Sequence, residues 1–396
     1  MPVFMLSNPL KHYEWGSPFF IPQLLHREVD PKIPVAEMWI GAHPADSSIL
    51  SEVEGQPSLR EYILNHPLEA LGKASDLYKG ELPFLLKVLA AEKPLSIQVH
   101  PSEEKAKKGF FRENKLGIPL DSPSRNYRDP HPKPELLCAL TEFNALCGFR
   151  EPDQILANFS SANLTELFPS LSNLAQNQDE SALKNFTQEV LNLSGKKLDQ
   201  AIRILEHSCY LNNNLPEEIV SAYQLIRKHF NKDAGLLSPL YLNVFTLQPG
   251  EALFLKPGVL HSYLYGAGIE IMANSDNVLR AGLTTKHIDI AEVLITLEYK
   301  PYIQKIILPK NRDDIYFIYS VPVKEFELQS LHIKPGKKLT LQLHNMPGIL
   351  LCSQGEVIIS EHKKVLSPGK AAFITSDISD LTLSGQGIIW LATVPA

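Results

Sequence analysis

Short apolar runs alternate with proline- and glycine-marked turns over residues 1–150. The runs FLLKVL (84–89), LSIQVH (95–100) and ELLCALTEF (135–143) have the length of strands, and the pattern predicts a β-rich unit with a few helices, one of them from Ser102 to Phe111. Over 151–235 the period changes. Leu183, Phe186 and Val190, then Leu198, Ile202 and Leu205, then Ile219, Tyr223, Ile226 and Phe230 recur at three- and four-residue spacing, which predicts amphipathic helices. The last helix has a marked start, because Pro216 stands in its first turn and Glu217 and Glu218 lie at the positive end of its dipole. From Leu240 the strand pattern returns in YLNVFTLQPGEALFLKPGVLHSYLYG, with Pro-Gly turns spaced as in an antiparallel barrel or jelly roll. The segment LQPGEALF (247–254) is echoed by LSPGKAAF (366–373), which predicts a second, smaller β unit near the C-terminus. The first copy runs on to His261, whereas the second has no matching histidine, so a metal is expected in the first unit alone.

Composition narrows the class of molecule. With 396 residues, 44% hydrophobic and 21% charged, the chain can bury a large core over two or three domains. A net charge of -6 and no long basic run argue against nucleic acid or an anionic membrane surface as partner. The four cysteines, Cys138, Cys147, Cys209 and Cys352, are too scattered for a disulfide framework and form no C-x-x-C pair, so they read as reduced core thiols. Pro2, Asn8 and Pro9 interrupt any secretory apolar segment, and a cytoplasmic protein is expected. The N-x-[ST] sequences at Asn158, Asn163, Asn185 and Asn192 then carry no meaning for glycosylation.

The candidate chemistry sits on strand-like segments. Gln98 and His100 are two apart in an extended run and therefore share a face. Lys133 and Glu135 open the next strand, where a buried carboxylate needs a cation or metal partner. His261 follows a Pro-Gly turn. Gln98, His100, Glu135 and His261 form an N/O donor set suited to zinc, although two histidines and one carboxylate also fit non-haem iron. The stretch from Glu270 to Lys286 is dense in polar groups and lacks helical period. Within it Arg280 and Lys286 suit a phosphate or an anionic intermediate. Trp15 offers an indole face to a sugar ring but fits a core position better, and Met38-Trp39-Ile40-Gly41 reads as packing. His207 and His229 have no companions at metal spacing and read as structural.

The segments PLSIQVHP, NYRDPHPKPELLCALTEFNALCGFR and GIEIMANSDNVLRAGLTTK resemble the diagnostic segments of the type I phosphomannose isomerases, in the family's order, from Asn8 to about Glu292. The resemblance implies a mainly β fold with a helical insert: a cupin (jelly-roll) catalytic domain over 1–150 and 236–305, an α-helical domain over 151–235 and a cupin-like domain over 306–396. It implies one zinc per chain on Gln98, His100, Glu135 and His261, and a catalytic arginine at Arg280. Lys133, Glu270 and Asp276 fall among the catalytic candidates, and Trp15, Ser96, Tyr263 and Lys286 among those for substrate. The implied reaction interconverts mannose 6-phosphate and fructose 6-phosphate through a cis-enediol, with a phosphosugar as the partner and a monomeric chain.

Two positions depart from the family pattern. His131-Pro132-Lys133-Pro134-Glu135 has proline where a histidine usually precedes the lysine, and Lys11 replaces a glutamine, a change expected to alter only a peripheral contact. The residues leave open a metal-dependent cupin oxygenase and a non-catalytic sugar-binding cupin.

Overall fold

The computed structural model describes residues 3–211, 214–302, 306–311 and 314–395. It is mainly β with helices, built on two antiparallel sheets of eleven and ten strands. The expected boundary at 305 lies outside the described residues.

The eleven-stranded sheet is organised by one long strand, His261–Ala273. Its start pairs with Ile97–Val99 and Phe143–Phe149, and its later part with Phe84–Ala91 and Glu135–Ala139. The change of partners falls at Gly266, where φ is +120° and a Cβ would lie 2.5 Å from the carbonyl oxygen of Glu142, so only glycine fits. The ten-stranded sheet repeats the device. Its strand Asp380–Thr393 bends at Gly385, φ +110°, where a Cβ would lie 2.4 Å from the Glu356 carbonyl. The sequence echo has the same structural meaning, since in both copies the Pro-Gly turn leads into a fully buried strand, Ala252–Leu255 or Ala371–Ile374.

The helices over 151–235 are Pro152–Ser161, Ser170–Asn177, Glu180–Leu191, Gly195–Leu211 and Glu217–Arg227. They leave from Phe143–Phe149 and return as Leu242–Leu247, which pairs antiparallel with that same strand, so the block is one long hairpin connection. Its apolar faces, including Phe159, Phe186, Ile219 and Ile226, form one cluster with Ile97 and Val99. The alternation read at 95–100 has this cause. Ile97 and Val99 are fully buried against the helical core, which turns Gln98 to the other face. The helix expected from Ser102 runs from Glu103 to Lys115, one turn further than expected, with Ser102 as its cap. Pro216 stands at the cap of Glu217–Arg227 rather than inside its first turn. All four cysteines are free and buried, and among the described residues no helix is long and apolar enough to cross a membrane.

The strand Val3–Ser7 lies in the ten-stranded sheet, antiparallel to Ala371–Ile374. Its Leu6 joins a cluster that contains Leu86 and Ile271 of one sheet and Leu351 and Phe373 of the other. Because this core is shared, Leu6→Ala should cost about 2–5 kcal/mol. Urea unfolding followed by fluorescence and circular dichroism should show both sheets losing structure in a single transition.

Candidate metal centre

Strand register brings the donors together. Gln98 lies directly opposite His261 on one side and Arg280 on the other, so the three side chains project from one face of neighbouring strands. His100 follows at the end of the Gln98 strand, and Glu135 opens the strand paired with the far part of His261–Ala273.

The ligand atoms of His100, Glu135 and His261 all lie within 4.8 Å of one another, and all three residues are buried. Each imidazole donates from Nδ1 to a backbone carbonyl, His100 to Asn277 at 2.7 Å and His261 to Val259 at 3.0 Å. Both Nε2 lone pairs therefore turn inward. His100 Nε2 is 3.2 Å and His261 Nε2 3.6 Å from the Glu135 carboxylate. His100 Nε2 and Glu135 Oε2 are buried without a hydrogen-bond partner, which is costly unless a cation sits between them. The Gln98 amide lies 3.3 Å from His261 Nε2, and a half-turn about its last bond exchanges its nitrogen and oxygen. The donor set thus fits a zinc ion. Burial raises the Glu135 carboxyl, but Lys133, 3.0 Å away, and His100 outweigh it and hold Glu135 well below the usual range. Burial and the neighbouring His100 push His261 down to about 4, so it is neutral and able to ligate near pH 7.

A second buried array lies beside the first. Lys87 stands opposite both Glu270 and Trp39 across three strands. Its ammonium is 3.0 Å from Glu270 and 3.6 Å from Glu37. Glu270 also accepts from the Tyr263 hydroxyl at 2.9 Å, and Glu37 accepts from the Trp39 indole at 2.6 Å. Burial lowers the Lys87 ammonium, yet Glu270 and Glu37 outweigh it and hold the group charged. Glu270 and Tyr263 are therefore committed to this network. Trp39, expected as packing, is buried but takes part in it. Lys11 is not peripheral, because its ammonium lies 4.3 Å over the Trp39 ring and 2.5 Å from Asp46.

More open groups lie nearby. The Asp276 side chain is 41% exposed and faces His43 Nε2 at 3.6 Å. His43 Nδ1 accepts the Ala45 N–H at 3.2 Å, which leaves Nε2–H directed at Asp276. Arg280 is half-buried and Lys286 exposed. Burial lowers both, and the exposed Arg128 guanidinium lowers both further. Among the described residues none of these three cations forms an ion pair. Lys286 lies 6.0 Å from the Tyr13 ring, which stacks on Trp15. Trp15 is half-buried and packs partly on the core. Ser96 is half-buried just before the Gln98 strand, two residues from Gln98.

Sequence reading missed Lys87, Glu37, His43 and Arg128. Lys87 had a signal, since it is the single charge in the eight-residue strand Phe84–Ala91, and a buried ammonium there requires carboxylates. His43 had none, because its role depends on a segment distant in the chain. Burial pushes His43 down to about 4 from an ordinary 6.5, against the pull of Asp276. Between those values the unfolded chain binds a proton that the fold refuses, so stability present above pH 6.5 is lost as pH falls toward 4, on the order of 1 kcal/mol per pH unit. In urea unfolding of metal-free protein across this range, His43→Leu should flatten the slope.

Comparison with known proteins agrees with this geometry. A family model described as "Phosphomannose isomerase type I, catalytic domain" matches residues 3–152. The mannose-6-phosphate isomerase of Escherichia coli strain K12 is 39% identical over 388 residues, covering 96% of this chain and 97% of that protein. The Homo sapiens mannose-6-phosphate isomerase is 31% identical, covering 90% and 89%. Crystal structures of mannose 6-phosphate isomerase, one with zinc and yttrium and one with zinc, superpose with TM-scores of 0.91 and 0.92 at 35% identity over the whole of both chains. With such identity sustained over nearly its full length, this chain belongs to the type I phosphomannose isomerase family.

Proposed function

We propose that this protein is a zinc-dependent aldose–ketose isomerase that interconverts D-mannose 6-phosphate and D-fructose 6-phosphate. The observation that carries the reading is the convergence of the unpartnered His100 Nε2 and Glu135 Oε2 with His261 Nε2, beside the unpaired Arg280. His100, Glu135, His261 and, through its amide oxygen, Gln98 would hold one zinc per chain. When bound, zinc supplies the Lewis-acid charge that polarises the carbonyl and adjacent hydroxyl of the sugar.

The remaining work falls to side chains. Isomerisation moves a proton between C2 and C1 through an enediol, so a base must reach the substrate. Glu270 is bound to Lys87 and Tyr263, and Lys133 to Glu135, whereas Asp276 is open to solvent. We assign proton transfer to Asp276 and give Lys133 and Glu270 the task of fixing charge around it. Arg280, directly opposite Gln98, would meet the negative charge that develops on the sugar oxygens. The uncompensated charge of Arg280, Lys286 and Arg128 supports a phosphate clamp, and Trp15 would offer its face to the apolar side of the ring, with Ser96 at the margin. Tyr263 acts on substrate only through Glu270.

The same reading extends to organisation. Residues up to 150 and from 236 to about 305 would form a cupin catalytic domain, 151–235 the helical domain and 306–396 a cupin-like domain that borrows the strand Val3–Ser7. A cytoplasmic monomer without nucleic-acid or membrane partners is consistent with the charge and the free thiols.

Chelator-stripped protein should lose mannose 6-phosphate turnover and regain it with added zinc in a coupled assay, and full activity in metal-free protein removes the metal from the reaction. Arg280→Ala should lower kcat about 10²-fold or more with little change in thermal midpoint. An unchanged kcat reduces Arg280 to a structural residue.

A further inference from the structure

The loop from Ser275 to Asn277 joins a candidate metal ligand to an open carboxylate. The Asn277 carbonyl accepts His100 Nδ1–H, and Asp276 presents the open carboxylate. Short polar loops of this kind have no packing of their own to fix them, so their position must come from hydrogen bonds. Nearly all of those bonds come from the segment Arg128–His131, and they run through two side chains, Asp129 and Asn277.

The first of them, Asp129, is the one that holds the Asp276 backbone. Its Oδ2 accepts the Asp276 N–H at 2.7 Å. Its Oδ1 accepts the Ser275 hydroxyl at 2.9 Å, the His131 N–H at 2.9 Å and the Asn277 side-chain amide at 3.2 Å. The Asn277 amide, fully buried, closes the latch in the other direction. It donates to the carbonyls of Asp129 and His131 at 2.8 and 2.9 Å and accepts the Arg128 N–H at 2.7 Å. A carboxylate that accepts four N–H and O–H groups from two chain segments fixes their relative position, and a neutral amide cannot replace it without turning a donor toward a donor.

We infer that Asp129 is a positioning residue that sets the metal ligand His100, through the Asn277 carbonyl, and the proton-transfer group Asp276, through its backbone N–H, as a single unit. Groups that orient a metal-bound imidazole from outside typically govern metal affinity and activity 10–100-fold. Arg128 belongs to the same latch, so the segment that orders the metal ligand also carries a cation of the anion clamp. The inference rests on the zinc site and on the assignment of Asp276, and the experiment separates it from them.

Asp129→Asn, Asp276→Asn, the double variant and Ser275→Ala are to be compared with the parent after circular dichroism confirms folding. Zinc affinity, measured by competition with a chromophoric chelator, needs no turnover. Asp129→Asn should weaken zinc 10–100-fold and lower kcat at least tenfold with a smaller change in KM. In the Asp276→Asn background it should lower kcat far less, because the two act together, while still weakening zinc. Ser275→Ala, a milder cut at the same carboxylate, should weaken zinc several-fold and decides the matter should Asp129→Asn not fold. Zinc affinity unchanged within twofold, or kcat effects that multiply independently, would overturn the inference and leave Asp129 a loop-stabilising residue. A parent that binds zinc but isomerises nothing refutes the proposed function, while the zinc arm still tests the Asp129–His100 link.

Discussion

Lone pairs that converge inside a protein, out of reach of water, repel one another unless a positive charge sits among them. Two imidazoles turned inward by their Nδ1–H bonds and one carboxylate meet this description at His100, His261 and Glu135, and much of the architecture follows from keeping them so. The Lys133 ammonium supplies part of the compensation from one side. Burial keeps His261 uncharged and thereby leaves its lone pair free for a metal. The neighbouring array of Lys87 between Glu37 and Glu270 solves the same problem with protein charges alone, which leaves it rigid and closed where the first centre is open to an ion.

The helical block serves this centre from a distance. Its core ends on Ile97 and Val99, so the strand that carries Gln98 is held by packing on its back and by strand neighbours on both edges. A donor placed in this way loses little freedom when an ion binds, which is the condition for a site held within a fraction of an ångström.

Parts of the molecule governed by local rules were legible in the sequence. Period-2 alternation at 95–100 gave the shared face of Gln98 and His100, three-and-four spacing gave the helices, and the Pro-Gly echo gave the turn-to-strand repeat in the second sheet. Glu135 was legible because a carboxylate opening an apolar strand needs a partner. The rest depended on contacts between distant segments. Nothing in Ala36–His43 announces that Glu37 and His43 would face Lys87 and Asp276, and nothing around Arg128 announces that its charge would act on Arg280 and Lys286. Trp39 packs in the core as its apolar neighbours imply, and the polar contact of its indole N–H with Glu37 is what the sequence conceals.

The strand Val3–Ser7 is bonded to Ala371–Ile374, a partner synthesised far later along the chain. At synthesis rates of roughly 5–20 residues per second it waits on the order of tens of seconds with one edge and an apolar face uncovered. The nascent chain therefore cannot finish folding vectorially. It completes its shared core only once Ala371–Ile374 has emerged, and until then this short segment is a natural point of contact for holding chaperones.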